Sequence, residues 1–243
     1  MQTVLILGAT SDIAVAMARQ FASRGYDVQL AARHPEQLAP LASDLRIRYG
    51  VNATTYDFDA CDFAAHGSFY RALTPKPDVT ICVFGAMVDE DVAAKDWDVA
   101  LRMMLTNYVG AVSILNLVAH DYLQRRAGVI VGLSSVAGDR GRASKLIYGS
   151  SKAGFSAYLS GLRNRLAASG VHVLSVKPGF VSTRMTAGTD LPPLLTATPE
   201  QVALAVYNAV IRRQNTLYVK WFWRWIMLII RLIPEPLFKK LHL

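Results

Sequence analysis

The regular alternation of short apolar runs with helix-like segments most constrains how this chain can fold. The runs Val4–Leu7, Val28–Ala31, Ala53–Tyr56, Val79–Phe84, Val129–Leu133 and Val171–Val176 read as strands. The segments near 13–24, 35–48, 62–73, 97–124, 146–169 and 199–213 read as helices. Strands that are apolar along nearly their whole length are buried on both faces, and their alternation with helices builds βαβ units. The predicted class is therefore α/β, with a doubly wound parallel sheet. Thr198-Pro199-Glu200-Gln201 is a strong helix start, with Thr as N-cap, Pro at the first helical position and Gln at the third. The stretch 184–198, with Pro192 and Pro193, reads as a mobile loop before that helix. Nothing resembles a linker, so the expected organisation is one domain over 1–219 and a C-terminal extension over 220–243.

A length of 243 residues suits a single large α/β domain, and an apolar fraction of 52% is ample for its core. The two cysteines, Cys61 and Cys82, stand in no metal-ligand spacing, so no metal site is expected. They suit a reduced, cytoplasmic setting. The start Met1-Gln2-Thr3-Val4 is too short and uncharged for a signal peptide and reads as a buried strand. The formal net charge of +8 favours anionic partners such as phosphates or a membrane surface. No nucleic-acid motif, repeat or low-complexity tract is present.

The first strand ends in Gly8-Ala9-Thr10-Ser11-Asp12-Ile13 and leads directly into a helix. In a Rossmann-like sheet this turn receives the pyrophosphate of a dinucleotide on backbone N–H groups at the helix start. Gly8 permits the turn, while Asp12 and Ala14 stand where further glycines are usual. Asp12 is either an N-cap or a cofactor contact. The second strand ends in Ala32-Arg33-His34, with no acid to hold a ribose 2′-OH. Arg33 instead suits a 2′-phosphate, which favours NADPH over NADH. His34 reads as a helix-flanking residue. Asp57, before Phe58 at the end of the third strand, can bond an adenine amino group. At the fourth strand the small Gly85 admits close approach of a cofactor.

Tyr148 and Lys152 stand four residues apart, thirteen residues beyond Ser135. Positions i and i+4 share one face of a helix. An ammonium beside a phenol lowers a pKa that is ordinarily near 10. The pair can then act as general acid or base near neutral pH, with Ser135 holding a substrate oxygen.

Together, Gly8…Ile13, Asp57-Phe58, Phe84-Gly85, Thr106-Asn107-Tyr108-Val109-Gly110, Ser134-Ser135-Val136-Ala137-Gly138, Tyr148…Lys152 and Pro178-Gly179-Phe180-Val181-Ser182-Thr183 resemble the short-chain dehydrogenase/reductases over about residues 3 to 220. The resemblance implies a catalytic tetrad of Asn107, Ser135, Tyr148 and Lys152. Tyr148 would protonate a carbonyl oxygen as hydride arrives, Ser135 would orient that oxygen, and Lys152 would also hold the nicotinamide ribose. Asn107 would hold a water in a proton relay. Pro178, Gly179, Val181 and Thr183 would line the nicotinamide pocket. One departure is Cys82-Val83-Phe84-Gly85 where the family usually has Asn-Asn-Ala-Gly, so the asparagines that brace the central strand are missing. Within the family the chain is similar to reductases of a 2-keto-pentofuranose carried on a polyprenyl phosphate. This implies a lipid-linked keto-sugar substrate and a flavin oxidase partner, and family members often form homo-oligomers.

The stretch Leu217–Ile233, read as a helix, aligns Lys220, Arg224 and Arg231 within about 40° of one another. The rest of its surface is apolar and rich in tryptophan. Its apolar runs are too short to span a bilayer. They suit a helix lying in the membrane interface, on the inner face of the cell membrane, or one packed against another subunit. Arg184, after Thr183, is either a phosphate contact or a solvated loop residue.

Overall fold

A computed structural model describes residues 1–241. The strands are β1 (Thr3–Leu7), β2 (Asp27–Ala32), β3 (Ala53–Asp57), β4 (Val79–Cys82), β5 (Val129–Leu133), β6 (His172–Pro178), β7 (Phe180–Val181), β8 (Thr196–Ala197) and β9 (Thr216–Val219). The helices are α1 (Asp12–Ala22), α2 (Ala39–Tyr49), α3 (His66–Ala72), α4 (Glu90–Lys95), α5 (Trp97–Met104), α6 (Ala111–Arg125), α7 (Leu146–Leu166), α8 (Pro199–Ile211), α9 (Phe222–Leu232) and α10 (Glu235–Phe238). Seven strands form one parallel sheet in the order β3-β2-β1-β4-β5-β6-β9. The order reverses between β1 and β4, and the crevice at the C-terminal strand ends beside such a switch point is where doubly wound sheets bind ligands.

The apolar runs become strands because both faces of the sheet are covered. Side chains alternate along a strand. Val4 and Ile6 enter one core with Met17 and Phe21 of α1 and Val202 and Val206 of α8. Leu5 and Leu7 enter the other with Ile114 and Val118 of α6 and Phe155 and Leu159 of α7. Thr198 caps α8 reciprocally with Gln201, and Pro199 opens the helix, as its sequence predicts.

Two features depart from the sequence reading. The strand expected over Val79–Phe84 ends at Cys82, although the N–H groups of Val83 and Phe84 both still donate to Leu7 O. The helix expected over Leu217–Ile233 is a strand followed by a helix. Thr216–Val219, rich in β-formers, pairs in parallel with Ser175–Pro178 as the seventh strand. Lys220 then turns the chain at φ 58°, and α9 begins at Phe222. The basic stripe therefore lacks Lys220, whose ammonium donates to Leu194 O at 2.8 Å.

The helix from Trp97 to Arg125 is continuous, long enough and apolar enough to cross a bilayer by composition. Its Ile114, Leu115, Val118 and Tyr122 are instead fully buried in the core. The turn joining α5 to α6, Leu105–Gly110, is π-helical. Such bulges recur at functional sites because they re-aim side chains without ending the helix.

Candidate active site

One cavity of about 890 Å³ runs along the C-terminal strand ends, from Gly8, Thr10–Ile13 and Arg33 to Ser135, Tyr148, Lys152 and the Pro178–Thr183 segment. Gly8 makes the first turn possible. Its φ is +90°, and a Cβ there would lie 2.6 Å from the Cβ of Phe84. Ser11 caps α1 by accepting from Ala14 N–H at 3.2 Å. The first-turn N–H groups that a helix cannot satisfy internally thus belong to residues lining the cavity.

Asp12 opens α1 and lines the cavity but does not cap the helix. Its carboxylate accepts from the Arg184 backbone N–H at 2.7 Å and from Arg184 Nε at 2.8 Å. Arg184 also donates to Thr10 O. The turn after β1 is thereby tied to the loop after β7 by Arg184, whose side chain is 74% exposed. Arg33 lines the cavity and makes no hydrogen bond or salt bridge among the described residues, while His34 faces Glu36 at 3.4 Å. Phe58 also lines the cavity, stacked on His66 with centroids 5.1 Å apart, whereas Asp57 is exposed and stays outside that lining.

Ser135, Tyr148 and Lys152 converge. Ser135 follows β5 and heads a short 3-10 turn, its Oγ accepting from Ala137 N–H at 3.1 Å. It faces the Tyr148 hydroxyl. The neighbouring Ser134 points elsewhere, donating to Lys152 O at 2.9 Å. Lys152 is 5% exposed, and its ammonium donates to Leu133 O at 3.0 Å, some 5.8 Å from the Tyr148 ring centroid.

The charges differ from the simple expectation that Lys152 lowers the Tyr148 pKa. Burial pushes Tyr148 up, and the Ser135 hydroxyl only partly opposes it. Burial lowers Lys152 to about 8, with Cys82 pulling the other way. A phenol that holds its proton at neutral pH is a proton donor, the role a carbonyl reduction needs.

Asn107 is 1% exposed and lies in the π-helical turn. Its side-chain amide clasps Ala86 at both ends, Nδ2 donating to the carbonyl and Oδ1 accepting from the N–H, each at 2.7 Å. The side chain is committed to holding the Gly85–Ala86 backbone beside Lys152. This supplies from α5–α6 the bracing that Cys82-Val83-Phe84-Gly85 lacks.

Trp223, Arg142 and Lys145 also line the cavity and were not singled out from the sequence. A Cβ on Gly179 would lie 2.0 Å from the Trp223 indole, so glycine alone lets α9 seat there. The Trp223 indole N–H donates to Leu195 O at 3.1 Å, and its ring meets Phe180 edge-on at 5.4 Å. Only the aromatic character of the tail hinted at this, because Trp223 reaches the cavity through the turn that follows β9.

A doubly wound sheet with a proton-donating Tyr–Lys–Ser cluster beside a dinucleotide-sized crevice defines a nicotinamide-dependent oxidoreductase. The chain belongs to the short-chain dehydrogenase family, whose model matches residues 2–192. It is 36% identical to an uncharacterized oxidoreductase of Mycobacterium tuberculosis over 98% of this chain and 96% of that one. A short-chain dehydrogenase from Sphingobium yanoikuyae in complex with NADPH superposes with a TM-score of 0.84 at 27% identity, covering 97% of both chains. An actinorhodin polyketide ketoreductase with NADPH gives 0.79 at 25% identity, over 90% of this chain and 95% of that one. The protein is an NAD(P)-dependent enzyme of this family.

Proposed function

We propose that the chain is an NADPH-dependent ketoreductase acting on a keto-sugar carried on a polyprenyl phosphate, at the surface of a membrane. When bound, the nicotinamide supplies the hydride. The Tyr148 hydroxyl gives its proton to the carbonyl oxygen, and the Ser135 hydroxyl donates to the same oxygen and fixes its position. Lys152 holds positive charge behind the phenol, which stabilises the phenolate left after the proton departs. Arg33, unpaired at the end of β2, supports NADPH over NADH through the 2′-phosphate.

The observation carrying the substrate reading is the double role of α9. Its inner face, Trp223 and Met227, packs against the cavity wall. Its outer face leaves Trp225 54%, Ile229 65% and Leu232 72% exposed. Arg224 and Arg231 stand on the same helix, and the exposed Lys239 and Lys240 follow α10. An apolar, tryptophan-bearing face on a basic segment suits the interface of an anionic bilayer. A substrate on a lipid phosphate would reach the cavity from that same surface. The ketone would come from oxidation of the sugar 2-hydroxyl by a separate flavin oxidase, and reduction on the opposite face would complete an inversion. The competing reading is a soluble ketone, with the α9 face covered by a second copy in solution.

The deciding assay is NADPH oxidation with a lipid-phosphate-linked 2-keto-pentofuranose against a panel of soluble ketones. Higher kcat/KM for the lipid-linked substrate is expected, and a preference for soluble ketones in a stable dimer favours the competing reading. Tyr148→Phe should bind NADPH and lose about 10²-fold or more in turnover. Near-wild-type turnover in that variant overturns the assigned proton donor.

A further inference from the structure

We propose that Arg142, assisted by Lys145 and Arg102, forms a subsite for an anionic group, a phosphate or a carboxylate, borne by the ketone substrate. This rests on the ketoreductase reading and specifies what that site selects. All three cations line the same cavity as Tyr148 and Ser135. Arg142 and Lys145 flank the short turn that leads into α7, ahead of Tyr148, and Arg102 projects from α5, which packs against α7.

The Arg142 Nε is buried without a hydrogen-bond partner, which is costly for a group that is always charged. The carboxylate that acts on Arg142, Asp139, is already engaged. Asp139 accepts from Lys177 and, at 2.8 Å, from the Tyr218 hydroxyl. Glu90, on α4, accepts the Ile147 backbone N–H through Oε1, while its buried Oε2 has no hydrogen-bond partner. Asp12, also in the cavity lining, is held by Arg184, and Asp59 accepts from Cys61 N–H at 2.9 Å. The catalytic end of the cavity therefore has a surplus of positive charge in a partly desolvated wall. A guanidinium there offers a forked pair of donors matched to two oxygens of one anion.

The test uses full-length protein saturated with NADPH, so that the cofactor's own phosphate contacts are filled. Inorganic phosphate and acetate are titrated into wild type, Arg142→Met, Arg142→Lys and Lys145→Met by calorimetry, with NADPH affinity as the check on folding. Phosphate should bind wild type, bind Arg142→Met about tenfold or more weakly, and recover in part in Arg142→Lys. Weaker acetate than phosphate binding identifies the anion as phosphate, and the reverse order identifies a carboxylate. Equal binding by wild type and Arg142→Met, or no binding by wild type, overturns the subsite. Dihydroxyacetone phosphate and dihydroxyacetone then serve as a matched ketone pair for wild type. Arg142-dependent phosphate binding without NADPH oxidation by any ketone would leave the subsite standing and sink the ketoreductase reading. Turnover of both ketones with Arg142-independent phosphate binding would do the opposite.

Discussion

Burial acts on Tyr148 and Lys152 in opposite chemical senses, holding the proton on the phenol and loosening it from the amine. For Lys152 the folded pKa of about 8 lies below its ordinary 10.5. Between those values the unfolded chain binds more protons than the folded one, so this group's contribution to stability rises with pH. In urea titrations of the cofactor-free protein, wild type should gain stability relative to Lys152→Met from pH 8 to about 10.5. A difference that stays constant across the window would show that the ammonium is not destabilised by burial. Arg33→Ala should weaken NADPH binding by about 10- to 100-fold, the range for losing a charge-assisted hydrogen bond, and leave NADH nearly untouched. Equal effects on the two cofactors would remove Arg33 from the 2′-phosphate. The Tyr148–Lys152 spacing was legible in the sequence because helical period alone puts i and i+4 on one face. The direction of the Tyr148 shift was not, since it depends on how much water the fold excludes around the ring.

Among the elements, the strands of the sheet interior were readable because each is apolar on both faces, whereas β9 was hidden inside an aromatic run that also suits a helix. Thr216–Val219 becomes a strand because the edge of β6 is open to it. That choice seats α9 over Gly179. Gly179→Ala should cost about 1–3 kcal/mol in unfolding free energy by driving a methyl group into the Trp223 ring. Adding Trp223→Ala removes the obstacle, so the double variant should be less destabilised than the sum of the singles. Additive costs would mean that the two residues are not in contact. The π-helical turn at Leu105–Gly110 gave no periodic signal either, because one extra residue per turn is settled by packing around Asn107 and not by the spacing of apolar residues.

For the molecule as a whole, the tail closes the cavity on its inner face and exposes apolar surface on its outer one. The triple substitution Trp225→Ser, Ile229→Ser and Leu232→Ser should keep Tm within a few degrees, since all three side chains are exposed. It should lose most co-sedimentation with vesicles containing anionic lipid. Undiminished vesicle binding would place the membrane contact elsewhere, and a loss of dimer instead would assign the face to a second copy. Arg140 joins this tail to the turn after Ser135. Its guanidinium donates to the carbonyls of Ile230 and Ile233, pairs with Glu235 at 3.0 Å and lies 3.6 Å over the Phe238 ring. The sequence by itself determined the doubly wound sheet, the turn after β1 and the shared helix face of Tyr148 and Lys152. Each of these is written in local order, as a run of apolar residues, a glycine at a strand end or a helical spacing. Only the tertiary structure decided that Asp12 would hold Arg184, that Asn107 would brace Ala86 and that Trp223 and Arg142 would wall the cavity. Those contacts join residues distant in sequence, and the packing of the sheet brings them within reach.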